Sequence, residues 1–212
     1  MSTVPENPYS NAFGEDVEQA DVPWSDPMDL MQRWLPSFVG PSRPLMVLST
    51  TGLDGGPDSR TVLLSAYDAR GVSFHTERGS LKVAELAADP RAAATIVWPD
   101  RLRQLVIRGT VEQLDDASAA EAYRARSRYL QMLAWLNTEE TAQLPQTERR
   151  RIWAAFDAAH PAGTLEPPPG WAGFLLRPSQ LTFWRGDPDG PGNRHRYARA
   201  ADGAWTVVRL PG

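Results

Sequence analysis

The chain has 212 residues, of which 42% are apolar and 23% charged, and this composition suits one globular domain with a buried core. Its net charge of −4 gives no electrostatic reason to expect a nucleic-acid partner, because such binding draws on clustered Lys and Arg. Since the chain has no cysteine, disulfides, thiolate nucleophiles and cysteine-bound metals are excluded. No signal-peptide pattern and no run of about 18 apolar residues occurs, so we expect a cytoplasmic protein that does not enter a membrane.

The first half of the chain predicts a flexible arm, a short helix and a series of strands. Residues 1–25 are rich in proline and acids and lack periodicity, which predicts an arm ahead of a domain over residues 26–212. Asp26 and Pro27 form a helix start, as N-cap and first helical residue, and Pro36 limits that helix. Strands are predicted over 45–50, 61–64 and 71–76, the last two joined by a turn at 68–71, and then, after a helix at 81–88, over 92–98 and 102–114.

The second half predicts helices followed by further strands. Helical segments cover 117–135 and 148–159, and a stiff, proline-rich connector over 161–170 follows them. The remaining strands are predicted over 173–176, 180–185, 194–199 and 205–210. Many short strands interrupted by a few helices indicate a mainly β (α+β) fold, a closed or partly closed antiparallel barrel with peripheral helices.

Metal and nucleotide motifs are missing from the sequence. The histidines His75, His160 and His195 are scattered without metal-ligand spacing, so no metal site is expected. Neither a glycine-rich dinucleotide or phosphate-loop motif nor a Gly-x-Ser-x-Gly nucleophile motif occurs. The sequence therefore gives no motif for a metal site, a dinucleotide or phosphate-loop site, or a serine nucleophile of the hydrolase type.

One set of residues suits a phosphate group. Arg60 lies on a predicted strand, Thr76 ends another, and Ser80 opens a helix that carries Lys82, the only lysine of the chain. A helix start offers unpaired N–H donors, and a guanidinium and an ammonium add positive charge. On these residues alone, an ordinary N-cap at Ser80 and a surface position for Lys82 explain the pattern equally well.

These phosphate-binding candidates belong to a series of short motifs that follow one another over almost the whole domain. They are Ser59–Leu64 (SRTVLL), Phe74–Lys82 (FHTERGSLK), Asp89-Pro90-Arg91, Arg103–Val106 with Gly109, Ala134-Trp135, Pro169–Phe174, Phe183–Gly186, Arg194 with Tyr197, and the ending Arg209-Leu210-Pro211. From Asp26 to the C-terminus the chain thereby resembles the pyridoxine/pyridoxamine 5′-phosphate oxidase family, and in character it is similar to the branch that acts in phenazine biosynthesis.

The resemblance implies an FMN-binding split β-barrel with Greek-key antiparallel strands, a homodimer, and FMN lying across the interface with both subunits lining each site. Arg60 and Lys82 would hold the FMN phosphate, and the backbone of residues 61–63 would pass along the flavin ring. The cofactor-binding residues that it implies are Arg60, Thr61, Val62, Leu63, His75, Thr76, Ser80, Lys82, Gln104, Trp184 and Arg194. Core packing for Trp184 and an ordinary strand hydrogen bond for Gln104 are the alternatives.

Departures from the family pattern bear on cofactor affinity and on the substrate. Leu81 replaces a second phosphate-binding base, and Glu139-Glu140 replaces a Gln-Ser pair, so flavin binding is expected to be weaker. In the substrate pocket, Ser65 stands for a lysine, Leu130 for a serine, and residues 190–192 (Gly-Pro-Gly) for Arg-x-His. A phosphorylated pyridine would therefore lose several charge-assisted hydrogen bonds, each worth about 1.5–3 kcal/mol.

These departures favour an FMN-dependent oxidase of a small ring-containing metabolite, phenazine-like or of another secondary pathway, that passes electrons to dioxygen. Substrate-side candidates are Ser65, Tyr123, Arg126, Tyr129 and His195, each of which is also compatible with an ordinary core or surface position. The alternatives are a pyridoxamine/pyridoxine 5′-phosphate oxidase of vitamin B6 salvage, and a flavin reductase or a flavin-binding protein without oxidase turnover.

Overall fold

The computed structural model describes residues 23–35, 44–187 and 189–212. Helix α1 spans Pro27–Trp34 and begins as predicted: the Asp26 side chain accepts a hydrogen bond from the Met28 amide at 2.8 Å, and Pro27 occupies the first turn. Residues 1–22, which form most of the predicted arm, and Pro36, the predicted limit of α1, lie outside the described residues.

The described residues form nine strands joined into one sheet. They are β1 (Leu45–Thr51), β2 (Pro57–Leu63), β3 (Ala66–Asp68), β4 (Gly71–Glu77), β5 (Arg91–Trp98), β6 (Arg103–Gln113), β7 (Trp171–Arg185), β8 (Asn193–Arg199) and β9 (Trp205–Pro211). The order is β2-β1-β5-β6-β7-β4-β3, with β8 between β7 and β9, and every pairing is antiparallel. The predicted turn at 68–71 is present, but it joins β3 to β4 rather than β2 to β4.

Strand β7 organises the barrel. It runs for 15 residues through Pro178, where two separate strands are predicted from the sequence. Its first part pairs with β4, its last part pairs with β8, and β6 follows it along both parts. The register shifts between Arg108 and Gly109, where a side chain on Gly109 would overlap the Arg177 carbonyl group. Pro178 is tolerated because it lies at this bulge, where the ladder is already interrupted.

Helices lie around the sheet. They are α2 (Leu81–Ala88), α3 (Asp116–Arg124), α4 (Arg128–Leu136), α5 (Glu139–Ala142) and α6 (Gln146–Ala159), with one 3₁₀ turn at Pro99–Arg101. The single helix predicted over 117–135 is two helices, because the Ser127 side chain caps a new start by accepting a hydrogen bond from the Leu130 amide. Arg126 therefore lies in the short connection between α3 and α4. Within the described ranges, no helix combines the length and hydropathy needed to span a membrane.

Two buried clusters support these elements. The main one fills the barrel beneath α1, where Trp34 packs edge-on against Phe183 and Trp98 with ring centroids 5.1 and 6.0 Å apart. The smaller one lies under α3 and α4 and contains Tyr123 and Trp171. Since Trp171 is also the first residue of β7, this cluster fixes the helices against the start of that strand.

Candidate cofactor and substrate site

The N-terminus of α2 lies beside the end of β4 and carries a cluster of donors. Lys82 Nζ donates a hydrogen bond to Thr76 Oγ1 at 3.0 Å, and Ser80 Oγ lies 3.4 Å from the same oxygen. Ser80 holds the N-cap position, but its side chain makes no capping hydrogen bond. Its hydroxyl group therefore faces Thr76. The Val83 amide donates to the Ser80 carbonyl at 2.9 Å, so the amides that precede it, those of Leu81 and Lys82, are the ones without an intrahelical partner.

Lys82 is partly buried rather than a surface residue. Burial lowers its pKa, the nearby Arg60 guanidinium lowers it further, and Glu77 and Glu85 act in the opposite direction. The effect of the Arg60 charge on Lys82 indicates that the two cations lie near one region. An anion bound between them would relieve the repulsion.

Arg60 is held by three oxygen acceptors. Its Nη1 donates to Thr50 Oγ1 at 2.5 Å, and its Nη2 donates to Asp58 Oδ2 at 2.7 Å and to Glu85 Oε2 at 2.6 Å. The Glu85 side chain is 1% exposed and also accepts a hydrogen bond from Thr50 at 2.7 Å. Arg60, Thr50 and Glu85 thus form a closed triangle that fixes the guanidinium at the rim of the barrel.

A second site lies beyond the other end of β2. An open pocket of about 300 Å³ is lined by Ser65, Glu121, Ala122 and Arg126, among others. Arg126 Nη2 donates to Ser65 Oγ at 3.2 Å, and its guanidinium lies 4.4 Å from the Trp171 ring centroid. Trp171 is fixed in turn by its indole N–H, which donates to the Ala119 carbonyl at 2.8 Å. The indole therefore orients Arg126, which is the one cation among the described residues that line this pocket.

His75 lies behind this group. Its ring stacks on Trp171 at 5.4 Å with an interplanar angle of 9°, and neither buried ring nitrogen has a hydrogen-bond partner among the described residues. Burial, followed by the charge of Arg126, lowers the pKa of His75 to about 4. His75 is consequently neutral at physiological pH and adds no charge to either site.

Three predicted substrate-side residues do not line this pocket. Tyr123 is fully buried and donates its hydroxyl to the Gln131 carbonyl at 3.2 Å, Tyr129 is 61% exposed and packs on Trp153, and His195 is buried on β8. Ala122 lines the pocket in place of Tyr123. Consecutive helical residues point about 100° apart. A shift of one position in aligning α3 with the family pattern therefore decides whether residue 122 or residue 123 is expected to face the pocket. The motif over Pro169–Phe174 contains Trp171 but assigned it no role, and no sequence signal identified Glu121.

Most of the remaining predicted flavin residues lie on the outer face of the sheet, whereas Val62 pairs with the buried Met46 and packs against the main buried cluster. Gln104, Trp184 and Arg194 are register neighbours on β6, β7 and β8. Thr61 and Leu63 occupy the same face, because they pair with outward-facing residues of β1. This face also carries three exposed apolar side chains, with Leu45 61%, Val47 41% and Val97 52% exposed. A large exposed apolar surface on a sheet is typical of an interface between subunits.

Trp184 and the α2 donors are far apart along β7. Ala172, which pairs with Thr76, precedes Trp184 by twelve residues on this strand. At about 3.3 Å per residue this corresponds to about 40 Å of strand. Counted along β7, Trp184 therefore lies near the end of the strand that is remote from the residue paired with Thr76.

Family models match almost all of the described chain. Residues 37–159 match the family model "Pyridoxamine 5'-phosphate oxidase", and residues 171–211 match "Pyridoxine 5'-phosphate oxidase C-terminal dimerisation region". The chain belongs to the pyridoxamine 5′-phosphate oxidase family. It is accordingly an FMN-dependent oxidoreductase, as the resemblance implies, and it carries the family's C-terminal dimerisation region.

Individual relatives agree with this assignment. A pyridoxine/pyridoxamine 5′-phosphate oxidase of Caulobacter vibrioides is 36% identical, over 98% of this chain and 96% of the relative. One of Streptomyces avermitilis is 32% identical, over 87% and 86%. Among solved structures, PhzG from Burkholderia lata in complex with tetrahydrophenazine-1-carboxylic acid is 26% identical, with a TM-score of 0.79 over 95% of this chain and 100% of that one. An FMN-binding protein of Nostoc punctiforme, 20% identical with a TM-score of 0.63 over 78% of this chain and 87% of that one, shares the fold.

The α2 cluster fits the phosphate of the family's cofactor. Lys82 and Arg60 supply positive charge, Thr76 and Ser80 supply hydroxyl groups, and the start of α2 supplies amide donors. Leu81 is 58% exposed where the family pattern has a base, so the site has one cation fewer. Glu139 and Glu140 lie in the first turn of α5, where acids stabilise a helix.

Proposed function

We propose that this family member is an FMN-dependent oxidase of a small, planar, ring-containing carboxylate and that it passes the electrons to dioxygen. The observation that carries the proposal is the pocket beside β2. Within the described part of the chain Arg126 is its only lining cation, and Ser65 stands where the family pattern has a lysine. A phosphate dianion is bound best by several cations, whereas a carboxylate monoanion is matched by one guanidinium fork.

The chemistry of the lining supports a singly charged ring substrate. Arg126 is pre-oriented by Ser65 and by the Trp171 ring, so little side-chain entropy is lost when it binds a carboxylate. Glu121 adds a carboxylate to the lining, which disfavours a ligand with two negative charges. The bound ligand of Burkholderia lata PhzG, a tetrahydrophenazine carboxylate, has the chemistry that this arrangement favours.

Strand β2 runs from the proposed phosphate site towards the substrate pocket, and the order of the residues along it indicates which part of the cofactor or substrate each one contacts. Arg60 would hold the FMN phosphate together with Lys82, and Ser65 lies two residues beyond the other end of the strand, at the substrate pocket. The backbone of Thr61 to Leu63 would pass along the flavin ring between these points. When bound, FMN supplies two-electron chemistry, taking a hydride equivalent from the substrate and giving the electrons to dioxygen with release of hydrogen peroxide.

We further propose that two copies complete each site. Gln104, Trp184 and Arg194 lie near the end of β7 that is remote along the strand from the partner of Thr76, and we infer that they contact the flavin held by a second subunit. The exposed apolar side chains of Leu45, Val47 and Val97 on the outer face and the match of residues 171–211 to a dimerisation region support this arrangement. The resulting assembly is a homodimer with its sites at the interface.

Oxidation of pyridoxamine 5′-phosphate is the second candidate, because relatives named pyridoxine/pyridoxamine 5′-phosphate oxidase are up to 38% identical to the chain. One assay of the purified flavoprotein under air distinguishes the two proposals. It measures the rate of peroxide formation with pyridoxamine 5′-phosphate as substrate and with a reduced tricyclic ring carboxylate as substrate. We expect turnover of the carboxylate with a kcat/KM at least about 100-fold higher, since several charge-assisted hydrogen bonds to phosphate are missing. Faster turnover of pyridoxamine 5′-phosphate contradicts the proposal, and slow reoxidation by dioxygen after photoreduction would identify a reductase or a flavin carrier.

A further inference from the structure

Both hydrogens of Arg60 Nη2 are engaged by carboxylates. One is donated to Asp58 Oδ2 at 2.7 Å and the other to Glu85 Oε2 at 2.6 Å. The donors left without a described partner are Nε–H and one hydrogen of Nη1, since the other Nη1 hydrogen is donated to Thr50. A guanidinium holds an anion with two parallel hydrogen bonds through Nη1 with Nη2, or through Nε with Nη2. Either edge requires Nη2, so a bidentate grip on a phosphate requires one carboxylate to leave.

The two carboxylates differ in their freedom to move. Glu85 is 1% exposed, lies on the buried side of α2 and accepts a second hydrogen bond from Thr50 at 2.7 Å. Displacing it would leave an unpaired buried charge, which is strongly unfavourable. The Asp58 side chain is 42% exposed and lies near the start of β2, where water can solvate it after it leaves. Asp58 is therefore the carboxylate that a bound phosphate would displace from Arg60 Nη2.

We propose that Asp58 competes with the FMN phosphate for Arg60 and lowers the affinity of this protein for its cofactor. This inference rests on the proposed placement of the phosphate at Arg60 and Lys82. The Ser59 amide and the Arg60 charge hold the pKa of Asp58 below its usual range, so the carboxylate is ionised at neutral pH. It both occupies Nη2 and repels an incoming phosphate. Glu85, in contrast, acts as a positioning residue that keeps the guanidinium in place.

The test is the dissociation constant of FMN for the full-length apoprotein, measured by quenching of flavin fluorescence at low and at high salt. Asp58→Asn keeps an acceptor for the Ser59 amide but removes the charge. We expect FMN to bind about threefold to fivefold more tightly, the upper range for an exposed ion pair, with a smaller gain at high salt. Asp54→Asn is the matched control: it makes the same charge change in the β1–β2 turn, where Asp54 caps the Gly56 amide, and should leave the constant unchanged.

Two companion variants separate this inference from the site assignment itself. Arg60→Ala and Lys82→Ala should each weaken FMN binding by about tenfold or more. If both do so while Asp58→Asn binds FMN no more tightly than the wild type, the competition is refuted and the site stands. An equal gain in Asp54→Asn also refutes it, because a general charge effect would then suffice. If neither cation matters, the phosphate lies elsewhere and the proposed site fails together with the inference.

Discussion

The burial of His75 predicts that the fold loses stability in acid. Its pKa in the folded protein is about 4, against 6.5 for an unperturbed histidine, because burial and the Arg126 charge both disfavour the protonated ring. Above pH 6.5 the residue is neutral in both states and does not affect stability. As the pH falls from 6.5 to 4 the unfolded chain binds the proton first, so stability is lost over this window.

The size of the loss follows from the shift. A difference of one pKa unit corresponds to about 1.4 kcal/mol, and between pH 7 and pH 4.5 the His75 contribution to the free energy of unfolding should fall by about 2 kcal/mol. Urea unfolding of the wild type and of His75→Gln at both pH values measures this loss. The variant is less stable at pH 7, because it loses the stack on Trp171, but its stability should fall less towards pH 4.5. An equal fall in the two proteins would refute the burial of a neutral histidine.

Three further outcomes are expected. Arg126→Met should raise the KM for a ring carboxylate about 10-fold to 100-fold while FMN content stays unchanged, since one charge-assisted interaction is removed; an unchanged KM contradicts the substrate site. Glu85→Ala should lower the free energy of unfolding by about 2–3 kcal/mol in urea titrations, because Arg60, whose side chain is 18% exposed, loses its buried partner. A loss below about 0.5 kcal/mol would contradict the stabilising role of the Arg60–Thr50–Glu85 triangle. Sedimentation at micromolar concentration should show a dimer, and a lone 23.4 kDa species would exclude sites built by Trp184 of a second copy.

Most helices and strands could be predicted from the sequence, because the local pattern of caps, turns and apolar residues agrees with the structure that the packed protein adopts. Asp26 and Pro27 identify the start of α1, and the helix predicted over 81–88 is present with the same limits. The exception is β7, where Pro178 and the polar residues around it suggest two strands. That prediction is wrong because the bulge opposite Gly109 accommodates the proline, and a bulge depends on a partner strand remote in sequence.

The site was predictable only where chemistry is carried by residue type and chain order. Thr76, Ser80 and Lys82 converge as the sequence predicts, because a strand end and a helix start adjoin them in the chain. The engagement of Arg60 by Glu85 could not be foreseen, since it depends on which face of α2 packs against β1. The same holds for Trp171, whose position over Arg126 follows from packing under α3.

The central claim, that Arg60 and Lys82 hold the cofactor phosphate, is tested most directly by a crystal structure of the protein with FMN. We predict phosphate oxygens within about 3 Å of Lys82 Nζ and of the Arg60 guanidinium, with the Asp58 side chain turned away from Nη2. A phosphate bound out of reach of both cations would contradict the account.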